Sequence, residues 1–149
     1  MLTPEELKTR GRRIVEEVFN QGDLAVVDEL VSADIVHHIP ALPGATPPHG
    51  VAGVKQWVTT LRGAFPDHHA TVEAEIAEDD TVVHRLTAHG THEGTFLDIP
   101  PTGTRVIYAV VEINRIGPDG KFIEHWSSLD MLGLLQQLDA HGAPAGRRF

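Results

Sequence analysis

Groups able to move protons crowd into one stretch, Asp119-Gly120-Lys121-Phe122-Ile123-Glu124-His125-Trp126-Ser127-Ser128-Leu129-Asp130. Asp119 and Gly120 suit a tight turn, because glycine reaches the left-handed backbone without steric cost. The residues after them read as a strand that ends on the Asp130 carboxylate. A carboxylate at the rim of an apolar cavity is pushed above its ordinary pKa by desolvation. It can then serve as general base or acid near neutral pH, a role worth roughly 10²–10⁴-fold in rate. Asp130 is the preferred base in this reading, on one strand face with Glu124, Trp126 and Ser128. The same carboxylate could cap the helix that follows, and both roles stay open. His125 and Ser127 fall on the opposite face by strict alternation. His125 is either a proton shuttle or a surface imidazole. Glu112, on the preceding strand and on one face with Tyr108 and Asn114, is the third catalytic candidate.

Around these three stand residues that could bind a substrate. Arg85, in a Val-rich strand, would orient a carbonyl or enolate oxygen if it points inward, and is an ordinary surface charge if not. His37, His89 and Tyr108 are further pocket candidates. Trp57 and Trp126 are either core aromatics or platforms for a ligand. The doublets His37-His38 and His68-His69 sit on strands, where adjacent side chains point apart, so neither chelates a metal by itself. No HExxH-like spacing, phosphate loop or GxSxG elbow is present. No metal site is therefore expected.

The elements that must position these groups follow from periodicity. Thr3-Pro4-Glu5-Glu6 opens a helix with a capping box, and Leu7, Ile14, Val18 and Phe19 line one face of it. After Asn20-Gln21-Gly22, Asp23 is expected to cap a second, short helix. A short strand over 35–39 precedes a Pro/Gly-rich loop from Pro40 to Gly50, long enough to act as a lid. A third helix spans 51–64. Period-two patterns then mark strands over 68–77, 81–92 and 104–116, with the stretch after Gly120 as the last. A terminal helix covers 131–138. Helices first and strands after give an α+β class, a curved antiparallel meander with three N-terminal helices over a conical pocket. Residues 1–142 form the expected single domain, and 143–149 a flexible C-terminal tail.

Composition narrows the function. Twenty-one acidic residues against twelve basic give a formal charge of −9, which repels phosphate backbones and anionic membranes. No nucleic-acid or membrane partner is expected. With no cysteine there is neither a disulfide nor a thiolate nucleophile. The N-terminus lacks the pattern of a signal peptide, and no apolar run is long enough to span a bilayer. The cytoplasm is the expected compartment.

A set of local motifs then adds up to a resemblance. It comprises Phe19-Asn20-Gln21-Gly22-Asp23, Val36-His37-His38, Gly50-Val51-Ala52-Gly53, Phe65-Pro66-Asp67, Gly90-Thr91-His92-Glu93-Gly94, Pro100-Pro101-Thr102-Gly103, the Asp119–Asp130 stretch and Leu134-Leu135-Gln136-Gln137-Leu138. Over about residues 8–139 the chain resembles the SnoaL-like polyketide cyclase (ester cyclase) family of the NTF2-like superfamily. The resemblance implies a cone with one pocket and a homodimer formed across the sheet. It also implies a cofactor-independent enzyme that closes a ring in a hydrophobic, polyketide-like carbonyl substrate by an intramolecular aldol reaction. A carboxylate there acts as acid/base beside a His. Members often carry an Asp directly after the Trp, where this chain has Ser127, and a His on the neighbouring strand, where it has Glu112. An epoxide hydrolase or isomerase in the same pocket, or a ligand-binding dimer without catalysis, are the alternatives.

Overall fold

The computed structural model describes residues 1–39 and 49–142. Of the expected lid loop, residues 40–48 lie outside that part, as does the expected tail 143–149.

Helix α1, Pro4–Arg13, begins in the expected capping box: Glu6 N–H donates to Thr3 Oγ1 at 3.1 Å, and Thr3 N–H to Glu6 Oε2 at 2.7 Å. The single helix expected through Phe19 changes pitch at Ile14. Residues Ile14–Phe19 form a π-helical turn, closed where Asn20 N–H donates to the Val15 carbonyl at 2.9 Å. Such wide turns are rare and often lie beside sites. Here Ile14 and Val15 line the internal cavity.

Helix α2 is Ala25–Leu30, with Leu24 rather than Asp23 at its cap position; the Asp23 carboxylate still accepts from Ala25 N–H at 3.2 Å. Strand β1, Val31–His38, starts four residues earlier than its pattern predicts, because Val31 is already paired with Phe122 and buried in the core. Helix α3, Gly50–Ala64, follows, then β2 (His69–Glu78), β3 (Thr81–Thr91), β4 (Arg105–Ile116), β5 (Phe122–Leu129) and α4 (Met131–Gly142).

The five strands form one curved, open sheet in the order β1-β5-β4-β3-β2. β2 to β5 make the expected antiparallel meander, and β1 adds to the β5 edge in parallel. Register shifts at Val72/Ala74 and Arg115/Ile116 mark bulges, which bend strands and raise their twist. Two apolar clusters fill the concave side. Phe65, Phe96, Tyr108, Leu134 and Leu138 anchor one beneath α4; Leu7, Val18, Val27, Leu30, Val58 and Phe122 anchor the other. Among the described residues no helix is long and apolar enough to cross a membrane.

Candidate active site

Alternation along β4 decides which groups face the concave side. Val106, Tyr108, Val110 and Asn114 are buried, so Glu112 shares their inward face. The β4–β5 register sets Glu112 opposite Ser127 and Asn114 opposite His125. His125 and Ser127 therefore point inward, while Trp126, opposite Ile113, points outward. On the other side of β4, Glu112 is the cross-strand partner of His84. β1 contributes His37, which is paired with His125.

These side chains meet in a cavity of about 50 Å³. Its polar wall is His37, His84, Glu112, Asn114 and His125; Ile14, Val15, Val31, Ile35, Val54 and Phe122 supply apolar wall. Ser127 Oγ donates to Glu112 Oε1 at 3.2 Å. His125 Nε2 lies 3.1 Å from Glu112 Oε2, but off the hydrogen-bonding axis, and that buried oxygen has no hydrogen-bond partner. On the other side of the ring, Nδ1 donates to Asn114 Oδ1 at 2.7 Å. This leaves the lone pair of neutral His125 on Nε2, toward Glu112. The His37 ring meets His125 edge-on at 5.8 Å, and its Nε2 donates to the Gly50 carbonyl at 3.0 Å.

Burial drives the two central pKa values in opposite directions. It pushes the Glu112 carboxyl up to about 8, with the Ser127 hydrogen bond pulling partly back. It holds His125 down at about 4, with the neighbouring His37 adding to the effect. A low-dielectric space disfavours charge on either group. At neutral pH the resting pair is thus a protonated acid beside a neutral imidazole.

The structure sorts the sequence candidates. It brings together Glu112, His125 and His37. It separates Asp130, because past the register shift near Phe122 β5 presents His125 and Ser127 inward, the reverse of the face on which Asp130 was expected to act. Asp130 is exposed and caps α4, its Oδ1 accepting from Gly133 N–H at 3.0 Å. Trp126 likewise faces outward, stacked on His38 with ring centroids 4.8 Å apart. Arg85 and His89 are on the outward face of β3, Arg85 exposed and His89 stacked on His69 at 5.4 Å. Trp57 packs beside Phe96 in the core cluster under α4 rather than on the cavity wall. Tyr108 faces inward two positions beyond Val110, also in that cluster, and its buried hydroxyl has no partner. Burial raises its pKa.

Ser127, Asn114 and His84 were not among the expected site residues. The signal for the first two lay in the parity of Val110, Glu112 and Asn114: once Glu112 is inward, a two-residue step reaches Asn114, and the hairpin register delivers Ser127 and His125. Nothing in the sequence marks His84, because the notch that receives its ring is made by Gly11 on a distant helix: a Cβ there would lie 2.1 Å from His84 Cε1. No three-residue cluster of His, Asp or Glu suited to a metal ion occurs among the described residues.

The architecture has close counterparts. TsrD from Streptomyces laurentii superimposes with a TM-score of 0.81 at 26% identity, covering 97% of this chain and 100% of that one. AclR, a proposed hydroxylase from Streptomyces galilaeus, is 32% identical over 93% of this chain and 83% of its own, with a TM-score of 0.79. IdmH, a proposed polyketide cyclase from Streptomyces antibioticus, is 30% identical over 92% and 99%, with a TM-score of 0.77. None of the curated proteins compared with the chain matches it. The family model for SnoaL-like polyketide cyclase matches residues 9–138. With that match spanning nearly the whole sequence, the chain belongs to the SnoaL-like polyketide cyclase family.

Proposed function

We propose that this protein catalyses enolisation, and through it intramolecular aldol closure, of a hydrophobic carbonyl substrate, with Glu112 and His125 as its acid/base pair. The carrying observation is the 3.1 Å approach of His125 Nε2 to Glu112 Oε2, with Asn114 on the far ring nitrogen. Because the approach is off-axis, both groups remain free to turn to a third atom between them. His125 Nε2 takes a proton from the carbon beside the carbonyl, and protonated Glu112 gives its proton to the carbonyl oxygen. The products are an enol, an imidazolium and a carboxylate. Net charge in the cavity stays constant, so no step buries an uncompensated ion. The new ions stabilise one another, and Asn114 Oδ1 stabilises the imidazolium. The enol carbon then attacks a second carbonyl carbon, whose oxygen takes the proton from imidazolium while Glu112 recovers its own. Groups whose surroundings push their pKa values apart are the usual way to assign acid and base.

The test is turnover of a linear β-polyketone, followed as ring-closed product. Glu112→Gln and His125→Asn should each lower kcat by roughly 10²–10⁴-fold with folding retained. Near-normal turnover in both variants would remove the pair from the mechanism.

A water-activating hydrolase is the second reading, favoured by the size of the cavity: about 50 Å³ accommodates water beside the pair more readily than a large substrate. Incorporation of ¹⁸O from labelled water into product would identify it; ring closure incorporates none.

The protein is further proposed to work as a homodimer through the outer sheet face. Ile76, Val83, Ile113 and Trp126 stand in one row across four strands there, with Ile76 65% exposed.

A further inference from the structure

On the far side of Glu112 from His125, the cavity wall is closed by His84, and His84 is joined to the outside. Its ring is 1% exposed and seated in the notch at Gly11. Nε2 lies 2.8 Å from Glu75 Oε2, and the other oxygen of Glu75 lies 2.6 Å from Arg12 Nη1. Arg12 and Glu75 line an open surface groove along β2, with Glu16, Asn20 and His69 beside them. His84 lines the internal cavity with Glu112, His37 and His125. One imidazole–carboxylate hydrogen bond therefore spans the wall between solvent and the site.

Among the described residues, no comparable hydrogen-bonded chain leads outward from the pair itself. Glu112 Oε1 is engaged by Ser127, His125 Nδ1 by Asn114, and His37 Nε2 by a backbone carbonyl. A carboxyl in a low-dielectric pocket, its side chain only 19% exposed, still has to equilibrate its proton with solvent. The cavity between His84 and Glu112 has room for water to carry the proton across it.

We propose that His84 and Glu75 form a proton conduit that sets the protonation of Glu112 from the β2 groove. An outgoing proton is taken up at His84 Nδ1 as the Nε2 proton passes to Glu75 Oε2, and Glu75 releases it to water in the groove. The next incoming proton runs the sequence backward and restores the ring's starting tautomer, so protons and charge balance over a cycle. Arg12 holds the Glu75 carboxylate in place. His84 and Glu75 are positioning and relay groups in this scheme; neither touches the reacting atoms. The inference rests on Glu112 being the titrating acid of the proposed mechanism.

The experiment uses the full chain and needs no substrate. Glutamate side-chain carboxyls are labelled with ¹³C, the Glu112 signal is assigned by its loss in Glu112→Gln, and its titration is followed by NMR. Proton exchange at Glu112 is then read from line broadening and relaxation dispersion at the midpoint. Glu75→Gln keeps the hydrogen-bonding shape but passes protons poorly, and should slow exchange about tenfold or more with the midpoint little moved. Arg12→Gln breaks the ion pair but leaves the Glu75–His84 bond, and should leave exchange near wild type. Unchanged exchange in Glu75→Gln overturns the conduit. Equal slowing in both variants also overturns it, because the effect would then come from the lost ion pair. A wild-type midpoint in the ordinary carboxylate range would remove Glu112 as the neutral acid of the mechanism, while the exchange comparison still decides the conduit.

Discussion

Ser127 and Glu112 face each other across the β4–β5 pair, and the Ser127 hydroxyl donates to Glu112 Oε1 at 3.2 Å. A donor to the carboxylate favours the ionised form and opposes the effect of burial. Ser127→Ala should move the Glu112 midpoint upward from about 8. A net hydrogen bond of about 1 kcal/mol corresponds to roughly 0.7 of a pH unit. The carboxyl ¹³C titration measures it, and a downward move would contradict this role for Ser127.

Asp130 separates a cap from a catalyst. Its Oδ1 accepts from Gly133 N–H, and its carbonyl accepts from Leu134 N–H at 3.0 Å, both in the first turn of α4. Asp130→Ala should cost about 1 kcal/mol, the usual worth of a lost N-cap, and Asp130→Asn much less. Neither should change turnover per folded molecule. Thermal melts and kcat on the same preparations decide it; a collapse of kcat in the Asn variant would return Asp130 to the chemistry.

Much of the fold was legible because it depends on local pattern. The capping box at Thr3, the stop after α3 at Pro66 and the alternation in β3 and β4 each carry their own signal. The site was less legible because it depends on one parity. Asp130 looked catalytic while β5 was read from its own end; the face of β5 is set instead by pairing with β4, where Asn114 is opposite His125. Glu112 and His125 were recognisable as reactive groups, but their meeting is a matter of register. The Gly11 notch for His84 joins residues from a helix and a strand far apart in the chain, and local periodicity carries no trace of it.

Stability should peak near pH 6.5. Glu112 has its folded pKa raised to about 8 from 4.5, so its contribution is complete below pH 4.5 and is lost as pH rises through 8. His125 and His68 are each depressed to about 4 from 6.5, chiefly by burial, so theirs are complete above pH 6.5 and lost as pH falls through 4. Between pH 4.5 and 6.5 the two imidazoles outweigh the one carboxyl, and stability climbs. Between 6.5 and 8 Glu112 acts alone among these three, and stability falls by about 2 kcal/mol. Urea unfolding across this range should show both limbs. Glu112→Gln should flatten the alkaline limb and steepen the acid one between pH 4.5 and 6.5, where Glu112 opposes the imidazoles; a wild type whose stability rises from pH 6.5 to 8 would contradict the burial of Glu112.

The outer face offers a test of assembly. If the row Ile76, Val83, Ile113 and Trp126 is covered by a second copy, sedimentation should give twice the 16.2 kDa chain mass at micromolar concentration. A lysine at the centre of that row, Ile113→Lys, buries a charge against apolar surface and should shift the mass to that of one chain. A wild type that sediments as one chain would end the dimer proposal.

Two helix glycines should respond to alanine with opposite sign. Replacing glycine inside a helix gains about 1 kcal/mol from propensity alone. At Gly63 in α3 an added Cβ meets nothing within 4 Å, so Gly63→Ala should stabilise by up to that amount. At Gly11 in α1 the Cβ would sit 2.1 Å from His84 Cε1. The ring cannot swing aside without leaving Glu75, bonded at 2.8 Å. Overpacking of this kind costs about 1–3 kcal/mol, and displacing the ring also forfeits its hydrogen bond, so the loss should exceed the propensity gain. Chemical denaturation of both variants gives the two signs, and a stabilised Gly11→Ala would mean that His84 is not held in the notch.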